Sequence, residues 1–175
     1  MKLMRYAMMT LLLACCVLPA FAGEVKYQES GFTFWVPDEW TQGFTFSEPD
    51  ERTQASPVFT AKSPNGELEF VFFAPRKIKS LEDAPEMLDQ ELSYWLSDIK
   101  VGKVQNGEIN ELSLVSIEAT GKAKYEGNPD VAIGVVVYQK ENNLFMVICF
   151  LPAEALEKYE DAITAIFKQV KHETE

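Results

Sequence analysis

Histidine is nearly missing from this sequence of 175 residues, in which His172 is the single imidazole. This excludes sites built from clustered histidines and most hydrolytic triads that depend on histidine, because both need an imidazole held in a cleft. Cysteine is also scarce, with three residues, and the sequence patterns of phosphate-binding loops, nucleophile elbows and zincins are absent. The sequence therefore predicts no catalytic residue, no metal site and no cofactor.

Basic residues are few: 16 Lys and Arg stand against 27 Asp and Glu, which gives a net charge of −11. Such a charge disfavours binding to nucleic acid or to anionic lipid, because both are polyanions. The content of 47% hydrophobic and 25% charged residues is typical of a globular protein, and the length fits one domain.

The first 22 residues have the order of a secretory signal peptide. Lys2 and Arg5 precede an uncharged, mostly apolar run over residues 7–18, and Ala20 and Ala22 supply the small residues before a cut at Gly23. The apolar run is shorter than the roughly 20 residues that span a bilayer. We therefore expect a signal peptide over 1–22, a single domain over 23–175 without a membrane span, and a periplasmic location.

A lipoprotein is the alternative. Leu12-Leu13-Ala14-Cys15 resembles the bacterial lipobox, in which the cysteine becomes lipid-modified and anchors the protein. Cleavage before Gly23 would instead leave 153 residues with a net charge of −13, because Lys2 and Arg5 are lost. That form keeps Cys149 alone and has no intramolecular disulfide.

Short apolar segments separated by turn residues predict a series of strands. Asn65-Gly66 and Asn106-Gly107 are both interpreted as turns. The predicted strands are 25–28, 32–36, 44–47, 58–62, 68–73, 101–105, 112–125, 131–140 and 144–151.

Two segments have helical spacing. The first opens at Ser80, which with Asp83 resembles a capping box, and its apolar positions recur from Leu81 to Ile99. The second covers residues 152–170, and the polar residues after it, including His172, are expected to form a solvated tail.

The predicted strands at 131–137 and 144–151 are apolar at nearly every position. An antiparallel strand with one wet face should alternate, so both faces of these strands must be covered. Cys149 lies within the second of them and is therefore expected to be a buried, unreactive thiol. The links between strands are too short for parallel crossovers. We predict an α+β fold in which a mainly antiparallel β-sheet is sandwiched by the two helices.

Residues 31–40 (GFTFWVPDEW) carry an apolar strand followed by Pro, two residues and Trp. With this opening, the helix start at residues 80–84, the hairpin at 131–151 and the last helix at 156–170, the order of elements resembles the PsbP-like superfamily. That superfamily includes PsbP, the Ran-binding Mog proteins and the bacterial DcrB-like envelope proteins. The resemblance implies an α/β/α sandwich and a non-enzymatic accessory or binding role, and it transfers no functional residue.

Two groups of residues are candidates for an interaction patch. Alternation places Trp35 on the opposite face from Phe34, with Trp40 and Phe44 following closely, although plain core packing explains these aromatic residues as well. Arg76, Lys77 and Lys79 form a basic group that either guards a sheet edge or docks an acidic partner. The candidate patch therefore consists of Trp35, Trp40, Phe44, Arg76, Lys77 and Lys79.

Three functions remain open. The first is an exported, non-enzymatic accessory or binding protein that contacts another protein of the bacterial envelope. The second is a binder of a small ligand or a weakly held cation, for which the acidic groups at 48–51 and 154–161 provide carboxylates. A carboxylate-based hydrolase is third, since the separation that defines such a pair is spatial.

Overall fold

The structure is a computed structural model that describes residues 23–28, 30–45, 57–76, 78–124, 127 and 129–173. The expected signal peptide over 1–22, including Cys15, lies outside the described residues. The described chain forms antiparallel strands and two α-helices, α1 (Ala84–Trp95) and α2 (Leu156–Lys168), with a short 3-10 turn at Ala153–Ala155. The strands are β1 (Gly23–Tyr27), β2 (Phe32–Val36), β3 (Thr41–Thr45), β4 (Val58–Lys62), β5 (Glu69–Phe73), β6 (Leu96–Val101), β7 (Gln105–Ile109), β8 (Leu112–Ala123), β9 (Asp130–Lys140), β10 (Asn143–Pro152) and β11 (Lys171–His172).

A large sheet has the strand order β3-β4-β5-β10-β9-β8-β6, and β7 pairs with the part of β8 that β6 leaves free. Every pairing is antiparallel, which confirms the antiparallel character predicted from the short links. The hairpin of β9 and β10 lies at the centre, with Met146 opposite Val137 and Val147 opposite Val136.

The central hairpin buries side chains on both faces, as its lack of alternation predicts. We call the face that carries Tyr138, Phe145 and Val147 the first face, and the face that carries Val137 and Met146 the second face. All five of these side chains are buried. On the second face Ile148 and Phe150 are half-buried, so the cover thins toward β5.

The first face is covered by a second sheet as well as by α2, a layer that the sequence pattern did not predict. This small sheet has the order β1-β2-β11, and its aromatic side chains point at the large sheet. Phe32 stacks on Phe145 with ring centroids 5.0 Å apart, and Phe34 stacks on Phe72 at 4.1 Å. Ile166 of α2 completes this core.

Helix α1 packs on the second face through Ala84, Leu88 and Leu92. It begins four residues after the predicted start at Ser80. Asp83 is the N-cap residue, and its carboxylate accepts hydrogen bonds from the backbone N–H and the hydroxyl of Ser80, both at 3.2 Å. The predicted contact between Ser80 and Asp83 is therefore present, but it stabilises the turn that precedes α1 and not the first turn of a helix that begins at Ser80.

The prediction that α1 continues to Ile99 is wrong, because the chain becomes extended at Leu96 and enters β6. Leu96 is buried against the second face and pairs with Ala123 of β8 as the first residue of β6. The close approach of β6 to β8 needs Gly121, since a Cβ atom there would stand 2.8 Å from the carbonyl oxygen of Ser97. The predicted strand at 101–105 accordingly divides into the end of β6 and the start of β7.

Of the two predicted Asn-Gly turns, one is confirmed. Gly66 has a φ of 72° in the turn between β4 and β5. Asn106 and Gly107 instead lie within β7, paired with Val115 and Leu114. The turn follows at Asn110 and Glu111, whose φ angles of 49° and 62° place both in the left-handed region.

The C-terminal part also differs from the prediction. Strand β10 extends to Pro152, so the second helix begins later than predicted and spans Leu156–Lys168. The expected solvated tail is wrong, because Lys171 and His172 pair with Thr33 and Phe32 as β11. Main-chain hydrogen bonds to the otherwise open edge of β2 account for this ordering.

Candidate functional site

The three aromatic residues of the predicted patch lie at different depths. Trp40 is 8% exposed and packs on Phe70 with ring centroids 6.0 Å apart. Phe44 is half-buried and meets Phe59 edge-on at 4.9 Å. Trp35 is half-buried on β2 beside the first-face core. Trp40 is thus a core residue, whereas parts of Trp35 and Phe44 reach the surface.

The basic residues of the predicted patch lie beyond the end of β5. Arg76 and Lys79 are exposed, and Lys77 lies outside the described residues. Trp40 directly precedes Thr41 of β3. Thr41 pairs with Lys62 of β4, and Lys62 pairs with Glu69, the first residue of β5. Since a five-residue strand spans about 13 Å, Trp40 and the basic residues lie at opposite ends of β5. The five described residues of the candidate patch therefore do not lie together in one surface, and contact of any of the six with a partner stays a prediction.

Cys149 is a buried thiol, as its apolar strand predicts. It is 1% exposed on the first face of β10, and burial raises its pKa far above the ordinary value for a thiol. A thiol that stays protonated and covered is a poor nucleophile and a poor metal ligand. Cys149 therefore contributes packing to the core.

His172 is half-buried and is not the solvated residue that its place in the sequence suggests. Its ring meets Phe32 edge-on with centroids 4.9 Å apart, and neither Nδ1 nor Nε2 has a hydrogen-bond partner. Glu173 next to it donates its backbone N–H to the carbonyl oxygen of Gly31 at 3.0 Å and pairs through its carboxylate with Lys26. The imidazole is thus held within the edge of the small sheet and not in a catalytic cleft.

One polar cluster joins the β4–β5 turn to α2. The carboxylate of Glu67 accepts hydrogen bonds from Lys158 Nζ at 2.6 Å and from the Tyr159 hydroxyl at 2.8 Å, and Asn65 donates to both Glu67 and Tyr159. The hydrogen bond from Lys158, followed by that from Tyr159, lowers the pKa of Glu67, and Glu67 in turn raises the pKa of Lys158. The cluster attaches the first turn of α2 to the hairpin of β4 and β5. Each of its four side chains forms a hydrogen bond with at least one other member.

Glu118 is a half-buried carboxylate in the middle of β8. Burial, and secondly the negative charge of Glu160 on α2, raise the pKa of its carboxyl group. A carboxyl group in such surroundings is a candidate for proton transfer or for binding a cation. No sequence pattern singles out Glu118, because the charge of Glu160 that acts on it comes from another element.

The described residues contain no group of three or more His, Cys, Asp or Glu side chains that could hold a metal ion. Among them there is also no helix long and apolar enough to cross a membrane.

The fold consists of the large antiparallel sheet, the small sheet packed on it through an aromatic core, and two helices. Known structures share this fold. The chain has the PsbP-like fold, which confirms the superfamily resemblance at the level of the fold. The sequence itself matches no protein-family model and no curated protein.

Three solved structures illustrate the likeness. Cyanobacterial PsbP (CyanoP) from Synechocystis sp. PCC 6803 has a TM-score of 0.62 at 12% identity, over 93% of this chain and 99% of that chain. The Ran-binding protein Mog1p from Saccharomyces cerevisiae has a TM-score of 0.55 at 9% identity, over 85% and 94%. PA94 from Pseudomonas aeruginosa, described as a putative regulator, has a TM-score of 0.51 at 15% identity, also over 85% and 94%.

Proposed function

We propose that the chain is an exported, non-enzymatic accessory or binding protein of the bacterial cell envelope that acts through contact with another protein. The proposal combines the signal-peptide pattern of residues 1–22 with a fold in which the reactive side chains serve packing. The partner is an envelope protein, and no cofactor takes part.

The non-enzymatic part of the proposal rests on the separation between Cys149 and His172. His172 packs on Phe32, which stacks on Phe145 of β10. Cys149 lies four residues further along the same strand, a distance of about 13 Å. A nucleophile and its base must lie within hydrogen-bond reach. The thiol and the imidazole do not form such a pair, and the thiol is buried as well.

Protein contact as the mode of action is supported by one structural neighbour. The name of Mog1p states that it binds Ran, and that protein shares this fold over most of its length. Fold likeness at 9% identity transfers no binding residue. It supports a binding role in general, and the partner of this chain must be found on its own surface.

The export part rests on residues 1–22. In this proposal cleavage after Ala22 releases a single periplasmic domain over 23–175, and β1 begins at Gly23 directly after the cut. The alternative anchors the protein to the membrane through Cys15. The proposal keeps the α/β/α sandwich with α1 and α2 as its outer layers, and the burial of Leu88 and Ile166 against opposite faces of the large sheet supports it.

Chemical crosslinking in intact cells, followed by purification of the chain from envelope extracts, tests the binding role. We expect one envelope protein to be enriched with the chain, and enrichment of none would contradict the proposal. Mass spectrometry of the mature N-terminus separates the two forms: a free Gly23 supports cleavage after Ala22, whereas a lipid-modified Cys15 supports the anchor.

A weak cation site is the second candidate, and the raised pKa of Glu118 beside Glu160 favours it. A cation between the two carboxylates would remove their repulsion and stabilise the folded state. Calcium should then raise the melting temperature of the wild type more than that of Glu118→Gln. Equal shifts in both proteins would contradict a site at Glu118.

A further inference from the structure

The backbone nitrogen of Gly23, the first residue of β1, is hydrogen-bonded to a carboxylate. Its N–H donates to Oδ1 of Asp38 at 2.9 Å. Asp38 lies two residues beyond Val36, with which Gly23 pairs in the small sheet, so the antiparallel register brings the two residues together. Gly23 is also the first residue after the expected cut at Ala22. The carboxylate of Asp38 therefore faces the main-chain nitrogen that cleavage would convert into the amino terminus.

Asp38 is held in place by the turn that follows β2. Pro37 has a restricted φ angle, and its carbonyl oxygen accepts a hydrogen bond from the backbone N–H of Trp40 at 3.1 Å. Trp40 is buried in the first-face core and anchors the end of the turn. The carboxylate of Asp38 is therefore presented from a fixed backbone beside the start of β1, although the residue itself is exposed to solvent.

The surroundings of this hydrogen bond are acidic. No described lysine or arginine forms a salt bridge with Asp38, and Lys26, the basic residue of β1, pairs with Glu173. Glu24 and Glu39, the chain neighbours of the two bonded residues, are exposed and add two further negative charges. Nearby opposite charges favour the charged form of an ionisable group. A positive charge on the Gly23 nitrogen would therefore be stabilised at this position.

We infer that Asp38 is the acceptor of the amino terminus that forms when the chain is cleaved after Ala22. A peptidase adds water across the Ala22–Gly23 bond, which leaves a carboxylate on Ala22 and, at neutral pH, an ammonium group on Gly23. The ammonium group then donates to Asp38 in an ion pair that holds the first residue of β1 in the small sheet. This inference rests on the proposed export and assigns a structural role to the cleaved end.

The ion pair can form in only one of the two proposed mature forms. Anchoring through Cys15 leaves Gly23 as an ordinary amide, whose single uncharged N–H can donate a hydrogen bond to Asp38 but cannot form an ion pair. Among the described strands β1 pairs with β2 alone, and chain ends fray unless they are tied down. The ion pair therefore stabilises an edge strand at the point where cleavage creates a new chain end.

Chemical labelling of the amino terminus tests the inference on protein that cells have exported from the full chain. Mass spectrometry first identifies the N-terminal residue. An N-hydroxysuccinimide ester of acetate at neutral pH then acetylates the terminal amine, and an ion-paired amine reacts slowly because only the deprotonated form attacks the ester. Asp38→Asn should accelerate acetylation of Gly23 about two- to fivefold, as expected for the loss of one exposed ion pair. Glu39→Gln, the matched control, removes a neighbouring charge and should leave the rate close to that of the wild type.

In urea the wild type and both variants should react at one rate, and the folded wild type should react more slowly than its unfolded form. This last comparison needs no variant, so equal rates in the folded and unfolded wild type overturn the inference even if Asp38→Asn does not fold. A free Gly23 whose rate Asp38→Asn does not change, or Glu39→Gln changes equally, also overturns it and leaves the proposed export intact. A mature N-terminus at Cys15 contradicts cleavage after Ala22 itself, and the inference fails with it.

Discussion

The hydroxyl of Tyr138 donates a hydrogen bond of 2.7 Å to the backbone carbonyl oxygen of Phe167, so the middle of the large sheet is tied to the last turn of α2. Tyr138 is completely buried, and its ring belongs to the first-face core. The bond supplies a partner for a carbonyl at a helix end, where no intrahelical donor is left.

Tyr138→Phe should lower the free energy of unfolding by about 1 kcal/mol, because it deletes the donor and leaves the buried ring in place. Urea unfolding of the wild type and the variant measures the difference. Tyr159→Phe is the matched control, since its hydroxyl belongs to the polar cluster at the surface, and its loss should be smaller. Equal losses of stability in the two variants would mean that burial does not determine how much this hydrogen bond contributes to the free energy of unfolding.

Gly121→Ala should destabilise the protein by about 1–3 kcal/mol, because the added methyl group would meet the backbone oxygen of Ser97 at 2.8 Å. Gly43→Ala on β3 is the control, since nothing lies within 4 Å of its Cβ position. That change should be neutral or stabilising by up to about 1 kcal/mol, because glycine is unfavourable within a strand. Thermal melting of both variants checks the difference, and equal effects would contradict the close approach of β6 to β8.

Glu118→Gln should stabilise the protein at neutral pH and have no such effect in acid. Burial and Glu160 raise the pKa of Glu118 in the folded state, so the folded protein holds this proton more tightly than the unfolded chain. The stability that Glu118 contributes is full below its unfolded pKa and is lost as the pH rises through the folded pKa. Because the group is half exposed, we expect a gain below about 1 kcal/mol.

Unfolding curves at pH 7 and at a pH below the ordinary glutamate value test this window. Glu157→Gln, an exposed change on α2, serves as the control for net charge. If the gain in stability of Glu118→Gln persists in acid, or if Glu157→Gln shows the same gain, the environment of Glu118 is not the cause of the gain.

His172→Leu should raise the free energy of unfolding by about 1 kcal/mol, because it replaces two buried nitrogen atoms that lack partners with apolar atoms. His172→Ala should lower it, since the contact with the Phe32 ring is lost. Denaturant unfolding distinguishes the two directions. If leucine destabilised the protein as much as alanine, the imidazole nitrogens would have to be bonded in solution.

Cys149 should resist alkylation in the folded protein. Iodoacetamide at neutral pH should add no mass at Cys149 within minutes, and an adduct should form there once guanidinium unfolds the protein, because burial keeps the thiol protonated and covered. Rapid native labelling would contradict the inert role assigned to this residue and would weaken the non-enzymatic proposal.

The central hairpin was predictable because its signal is local. Val137 and Val147 lie in segments that are apolar at nearly every position, and only burial on both faces satisfies such a pattern. The same holds for the burial of Cys149, which follows from its neighbours in the strand.

The features that escaped prediction depend on contacts between distant segments. Lys171 and His172 have no periodicity of their own, and they become a strand only because β2 offers an edge. Asn106-Gly107 has the composition of a turn, but pairing with Leu114 and Val115 extends it and moves the turn to Asn110. The pKa of Glu118 is raised by burial and secondly by the charge of Glu160 on α2, and no pattern within β8 could indicate either cause.

The pairing of β11 with β2 also affects the order in which the chain can fold. β2 comes from the beginning of the described chain and β11 from its end, while β5 and β10 must pair across the whole of α1, β6, β7, β8 and β9. Contacts between segments so far apart slow folding, because the loop must close before the contact is gained. A chain that emerges with its N-terminus first must therefore remain incomplete until His172 has appeared.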